Sequence, residues 1–233
     1  MNQLFFTPNI ENGLARLDEE ESRHLLTVLR RQPGDPLQIT DGKGHFYDAE
    51  ITEAGKKYAM VRILNTISTP EPPARLHIAI APTKQIERLE WFLEKATEIG
   101  IQEITPLLCR RSERTTIRHD RLEKILVSAM KQSLQSRLPR LNALTPFKQC
   151  VQGATESRRL IAWCPETALP PLKTQLHGVA DTLILIGPEG DFAPEEVILA
   201  ENCGFSGVSL GPTRLRTETA GLVAVMQFAF QTT

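Results

Sequence analysis

The sequence predicts a parallel α/β domain preceded by a small β-rich module. Three observations carry this reading. From about Leu76 onward, apolar runs of strand length alternate with segments of helical period. A turn-punctuated β segment occupies Leu37 to about Leu64. Between them, Thr69-Pro70-Glu71-Pro72-Pro73 places three prolines in four residues, which rules out continued helix or a central strand. The boundary is drawn there, giving a module over 1–69 and a second domain over 74–233.

In order along the chain, Glu19 to Arg30 is the first expected helix, with Leu25, Leu26, Val28 and Leu29 grouped on one side. Strands follow at Leu37 to Thr40, Phe46 to Ile51 and Tyr58 to Leu64, the first pair joined by the turn Asp41-Gly42-Lys43-Gly44. Past the prolines come a strand at Leu76 to Ala81 and a helix from about Gln85 to Ile99. That helix spaces Ile86, Leu89, Leu93 and Ala96 three or four apart. Next come a strand at Ile104 to Leu108, a helix at Asp120 to Gln135, and strands at Leu160 to Trp163 and Thr182 to Ile186. A helix at Pro194 to Asn202, a strand at Val208 to Leu210 and a helix at Thr217 to Phe230 complete the order. The last helix carries Leu222, Val223, Val225, Met226, Phe228 and Phe230 on several sides, so it must be buried.

Composition is that of an ordinary globular protein. No apolar run approaches the roughly 18 to 20 residues that span a bilayer, and the opening MNQLFFTPNIENG lacks a basic segment followed by a long apolar one. A cytoplasmic location is expected. Cys109, Cys150, Cys164 and Cys203 stand singly, without metal-ligand or paired spacing, and the five histidines are equally dispersed. Buried structural thiols and no metal are expected. A net charge of −1 counts against nucleic acid as a partner, yet the charge is unevenly placed. Arg110, Arg111, Arg114, Arg118, Arg121 and Lys124 fall in one stretch, and Arg23, His24, Arg30 and Arg31 form a smaller cluster. A solvated helix face produces such a run as readily as an RNA contact does.

In parallel sheets, ligands bind beyond the carboxyl ends of strands, where loops are free and the next helix offers its amides. Two such ends stand out. Leu183-Ile184-Leu185-Ile186 runs into Gly187-Pro188-Glu189-Gly190-Asp191-Phe192, and Val208-Ser209-Leu210 runs into Gly211-Pro212-Thr213-Arg214-Leu215-Arg216-Thr217-Glu218-Thr219-Ala220. Each loop opens on a glycine directly after a strand, as close approach of backbone to a ligand requires. Neither matches a Walker or dinucleotide phosphate cradle, so an ATPase or a dinucleotide enzyme is unsupported.

These two loops, in this order, resemble the cofactor motifs of the bacterial 16S ribosomal RNA uridine-N3-methyltransferases, the RsmE-like members of the SPOUT class. Supporting similarities are Lys84 with the helix through Glu94, Lys95, Glu98 and Gly100, then Ile104-Thr105-Pro106, Lys131-Gln132-Ser133 and Leu138-Pro139. His24-Leu25 and Val28-Leu29-Arg30 resemble the family's opening helix, and the Asp41-Gly42 hairpin resembles its PUA-like β-barrel domain. Two departures appear. Asp191 stands where a second glycine is expected after Gly187-Pro188-Glu189-Gly190, and Pro212-Thr213-Arg214 replaces a shorter, more apolar lead into the second motif.

The resemblance implies a trefoil-knotted catalytic domain, S-adenosyl-L-methionine as cofactor, 16S ribosomal RNA within the small subunit as partner, and a homodimer. By residue match, Leu185, Gly187, Gly190, Leu210, Gly211, Leu215 and Thr219 become the expected cofactor contacts. Methylating a uridine N3 requires an in-line approach to the methyl group and disposal of the N3 proton. Arg216 is the expected stabiliser of the resulting charge, because a guanidinium offers several fixed donors. Glu218 is a candidate base, although a carboxylate near a helix start often stabilises that terminus instead. Arg23, His24, Arg30, Arg31, Arg110, Arg111 and Arg114 become expected RNA contacts. Two alternatives stay open: a related knotted methyltransferase acting on another RNA or position, and a non-catalytic ribosome-assembly protein.

Overall fold

In the computed structural model the described residues, 3–232, form two compact units. One runs to Glu71 and also takes in Val127–Leu138; the other comprises Pro72–Leu126 and the chain from Pro139 onward.

In the first unit, β1 (Leu4–Phe6), β2 (Ile10–Glu11) and β3 (Leu14–Leu17) precede α1 (Glu19–Arg23). The two-residue turn between β2 and β3 is Asn12-Gly13, both at positive φ, as the tightest hairpins require. Asp18 caps α1 by accepting from the Glu21 N–H at 2.8 Å, with three acidic residues in the first turn. The helix then widens into a π turn over His24–Val28, closed by Leu29 N–H donating to the His24 carbonyl. The expected helix to Arg30 therefore stops early, and Arg30 itself is left-handed at φ 57°. The wider turn changes the angular step between side chains. Leu25 stays fully buried while Val28 and Leu29 swing out to solvent.

β4 (Pro36–Thr40), β5 (His45–Ala54) and β6 (Ala59–Ser68) complete a six-stranded sheet in the order β1-β4-β5-β6-β3-β2. Every pairing is antiparallel except β1 with β4. Leu17, Leu25, Ile39, Ile51 and Val61 fill its core. Residues 136–138 lie along the Asp41–Gly44 turn: Gly44 N–H donates to the Ser136 carbonyl at 2.9 Å, and Leu138 N–H to the Gly42 carbonyl at 2.9 Å. Lys131 pairs with the buried Glu21, whose carboxyl burial pushes above the usual range against the pull of that ammonium.

The second unit begins with β7 (Leu76–Ile80), α2 (Ile86–Ile99) and β8 (Glu103–Leu108). α3 (His119–Gln132) starts here, and its final residues belong to the first unit. It ends three residues before the expected Gln135, because Leu134 turns left-handed at φ 54° and Gln135 N–H returns to the Met130 carbonyl. Then follow β9 (Arg140–Leu141), β10 (Thr145–Pro146), α4 (Phe147–Gly153), β11 (Arg158–Ala162), α5 (Leu172–Gln175), β12 (Thr182–Ile186), α6 (Pro194–Asn202), β13 (Ser206–Val208) and α7 (Thr217–Thr232).

The strand order is β10-β8-β7-β12-β11-β13, with β9 also on β8, and every pair is parallel. β12 is buried at all five positions, which is why its sequence is an unbroken apolar run rather than an alternating one. After β13 the chain returns to α7, which packs on α2, β7 and β12. Gly221 permits the close approach of α7: a Cβ there would lie 2.7 Å from Phe92 and 2.9 Å from Ile80. The expectation that α7 is apolar and buried on several sides holds for Val225 and Phe228, while Leu222 and Val223 are half-buried. Met226 and Phe230 are exposed at 40% and 77%. Among the described residues no helix is long and apolar enough to cross a membrane.

Candidate active site

A cavity of about 580 Å³ opens at the carboxyl ends of β11, β12 and β13, three adjacent strands of the second unit. Its walls are Ala162 to Cys164 at the end of β11, Ile186 to Asp191 at the end of β12, and Val208 to Gly211 with Thr213 to Thr217 on the way into α7. The volume lies within the range of small-molecule and cofactor sites. Its position is the one parallel sheets reserve for ligands, since there the chain leaves the ladder with main-chain groups unpaired.

The loop 187–192 is held from several directions. Thr217 hydroxyl, in the first turn of α7, donates to the Gly187 carbonyl at 3.1 Å, so the second motif is tied to the first. Lys84 N–H donates to a Glu189 carboxylate oxygen at 3.3 Å. Arg111 donates to the Gly190 carbonyl at 2.8 Å and to the Phe192 carbonyl at 3.3 Å. Asp191 N–H closes a turn onto the Pro188 carbonyl at 2.9 Å.

The third wall departs from the expected strand Val208–Leu210. β13 stops at Val208, and Ser209 pairs instead with the chain before α5: its N–H donates to the Pro170 carbonyl, and Leu172 N–H to its own carbonyl. Leu210 and Gly211 leave the sheet to line the cavity. Gly211 takes φ 150°, a conformation that favours glycine, and no atom within 4 Å would contact a Cβ there.

Of the expected cofactor contacts, Gly187, Gly190, Leu210, Gly211 and Leu215 lie in the cavity wall. Leu185 and Thr219 do not. Leu185 is fully buried in the hydrophobic core, paired with Ile161 on one side and Ala79 on the other, so it supports the wall from one residue behind. Thr219 lies within α7, half-buried.

Arg216 is in the wall and exposed, as is Arg214, and neither has an ion-pair partner among the described residues. Glu218 is only 7% exposed and lies outside the wall; one carboxylate oxygen sits 4.0 Å from Arg88 of α2 and the other is buried without a hydrogen-bond partner among the described residues.

The basic run is engaged within its own unit. Arg110 pairs with Glu195 and its N–H donates to Glu196; Arg114 donates to the Thr83 and Lys84 carbonyls at 3.1 and 2.7 Å; Arg118 pairs with Asp120 and Arg121 with Glu90. Arg111 and Arg114 thus brace the loops after β12 and β7, a task their sequence position did not suggest. In the first unit Arg23, Arg30 and Arg31 are exposed, while half-buried His24 packs edge-on against Phe5 at 6.1 Å.

Sequence reasoning missed Trp163, Cys164 and Thr217 as site residues. The first two were legible as the residues ending a buried strand, the third as the opening of a Thr-Glu-Thr run before an apolar helix. Buried thiols were expected throughout, and Cys109 is buried, while the half-buried Cys150 has its thiol pushed up to about 12 by burial. Cys203 is half-buried as well, and Cys164 is exposed on the cavity wall, two residues past β11.

A family model described as an RNA methyltransferase domain matches residues 70–229, and one described as an RNA methyltransferase PUA domain matches residues 17–64. The chain belongs to the RNA methyltransferase family. The match to this RNA methyltransferase domain spans both cavity loops and most of α7. Ribosomal RNA small subunit methyltransferase E of Mycobacterium bovis is 30% identical over 239 residues, covering 95% of this chain and 89% of that protein. A crystal structure titled "probable rRNA-methyltransferase" from Porphyromonas gingivalis is 45% identical, with a TM-score of 0.92 over 99% of this chain and 98% of that one. Ribosomal RNA small subunit methyltransferase E from Neisseria gonorrhoeae, solved bound to S-adenosyl methionine, is 27% identical. Its TM-score is 0.83 over 97% and 96% of the two chains.

Proposed function

We propose that this RNA methyltransferase transfers a methyl group from S-adenosyl-L-methionine to N3 of a uridine in 16S ribosomal RNA of the small subunit. The observation that supports it most is the cavity built by the two glycine-led loops, with an unpaired arginine, Arg216, in its wall. The cofactor supplies an electrophilic methyl on a sulfonium. Gly187, Gly190 and Gly211 leave main-chain groups reachable for its adenosine, and Leu210 and Leu215 provide apolar surface. A trefoil knot formed by the returning segment before α7, a cytoplasmic location and a homodimer are part of the same proposal.

Arg216 holds the uracil and stabilises the negative charge on the ring as the N3 proton passes to solvent water in the open cavity and the methyl group leaves the sulfonium for N3, with the neutral thioether as leaving group. Preorganised donors at a developing charge are among the larger contributions an enzyme makes. Glu218 lies in the first turn of α7 outside the cavity wall, and its pairing with Arg88 suits a role in fixing that helix end. The target base must leave its stack to enter, which assigns RNA docking to the exposed Arg23, Arg30 and Arg31 of the PUA-like unit.

The test is methyl transfer from labelled S-adenosyl-L-methionine to isolated small ribosomal subunits, followed by nucleoside mass analysis. We expect 3-methyluridine, reduced about 100-fold or more by Arg216→Ala, since loss of one transition-state donor costs roughly that factor. Label in another nucleoside would move the assignment to a different RNA position, and no cofactor binding would overturn it.

A further inference from the structure

We infer that Asp191 is a positioning residue for the cofactor loop, the side chain that fixes the loop after β12 to the loop after β11; this rests on the proposed methyl-transfer reading of the cavity. The residue adopts φ 60°, the left-handed region that glycine enters freely and other residues enter at a cost. Aspartate is among the few side chains that tolerate it, because its carboxylate can bond to nearby backbone.

Here that carboxylate is used twice. Oδ1 accepts the Phe192 N–H at 2.8 Å, and Oδ2 accepts the Cys164 N–H at 3.0 Å. Both bonds are of good length and charge-assisted. The first stiffens the turn that Asp191 N–H already closes onto Pro188. The second spans 27 residues of sequence and joins two walls of one cavity. β11 lies between β12 and β13, so Cys164 has left the ladder and its N–H has only this partner among the described residues.

Glycine at 191 would keep the backbone conformation and lose both bonds. The loop would then keep its backbone turn onto Pro188 and its ties to Arg111, Lys84 and Thr217, leaving its rim beside Cys164 untied. A ligand that needs one loop geometry binds more weakly when the loop must be ordered on binding. Asp191 acts on the wall and makes no claim on the reacting atoms, so its loss weakens every ligand of the cavity alike.

Titration calorimetry of the full chain and of Asp191→Gly with S-adenosyl-L-methionine and with S-adenosyl-L-homocysteine tests this. The second ligand lacks the methyl group and the positive charge. We expect Kd to rise about tenfold for both ligands in Asp191→Gly, a factor consistent with losing charge-assisted bonds. Asp191→Asn, which keeps one acceptor, should fall between. kcat at saturating cofactor should stay within about twofold of the parent.

Hydrogen exchange at the Cys164 amide should quicken in Asp191→Gly without ligand, independent of any binding. Unchanged exchange at Cys164, or unchanged Kd in Asp191→Gly, overturns the inference. Weakening of the cationic ligand alone also overturns it, since that outcome assigns the carboxylate to direct contact with the sulfonium. If the parent chain binds neither ligand, the methyl-transfer reading fails instead, while the exchange measurement still judges the bond to Cys164.

Discussion

At the turn between β4 and β5, one carboxylate gathers four donors. Asp41 accepts the N–H of Lys43 at 2.7 Å and of His45 at 3.3 Å, and bonds the His45 ring at 2.8 Å and the Tyr47 hydroxyl at 3.1 Å. Burial pushes its carboxyl up, but the bonds from Lys43, His45 and Tyr47 outweigh that and hold it below the usual range. A depressed folded value means the ionised form is favoured by folding. Its contribution is therefore complete above the ordinary value of 3.8 and is lost as pH falls through the lower, folded one. We expect Asp41→Asn to lose about 1–2 kcal/mol at neutral pH and to show a flatter acid limb than the parent, checked by urea melts across that range. The turn itself was legible, since Asp-Gly between apolar runs is a hairpin signal. The role of Asp191 was not, because the residue that makes it useful, Cys164, is remote in sequence and meets it only once the parallel sheet has formed.

Among the elements, those with strong periodicity or an unbroken apolar run were read correctly: β12 and α6 match their expected limits, and α2 differs by one residue. The errors have specific causes. β1, β2 and β3 have two to four residues each, too few to show alternation, although Asn12-Gly13 marked a hairpin that went unread. The π turn after α1 and the left-handed Leu134 are set by packing, to which local propensity is blind. Gly221 is legible only as a helix weakness until Phe92 and Ile80 are seen against it. Gly221→Ala should gain about 1 kcal/mol of helix propensity but lose more to overpacking, because neither neighbour is exposed and neither can give way. We expect the Tm to fall by about 5 °C in a thermal melt; an unchanged or raised Tm would show that α7 can shift.

For the whole chain, the β-then-α/β order was visible, and both family matches lie where that order places them. What composition and periodicity could not reveal is that Val127–Leu138 belongs with the first unit. Apolar spacing along α3 says that it is buried, not against what. The segment supplies the Ser136 carbonyl used by Gly44 and by the Thr40 hydroxyl, and Arg137 donates to the carbonyls of Lys43 and Thr69 at 3.1 and 2.9 Å. Residues 1–71 expressed alone should lack a cooperative melt by circular dichroism, and adding a peptide of residues 127–138 should restore one. Cooperative melting of 1–71 by itself would overturn that expectation.

The same arrangement sets a schedule during synthesis. A module whose chain ends at Glu71 is ordinarily free to close as soon as that residue clears the ribosome, but this one waits for Leu138. At common elongation rates the gap lasts on the order of several seconds, during which the turn between β4 and β5 and the buried Glu21 lack their partners from residues 127–138. On that expectation the module closes late, yet while most of the methyltransferase domain has still to be made.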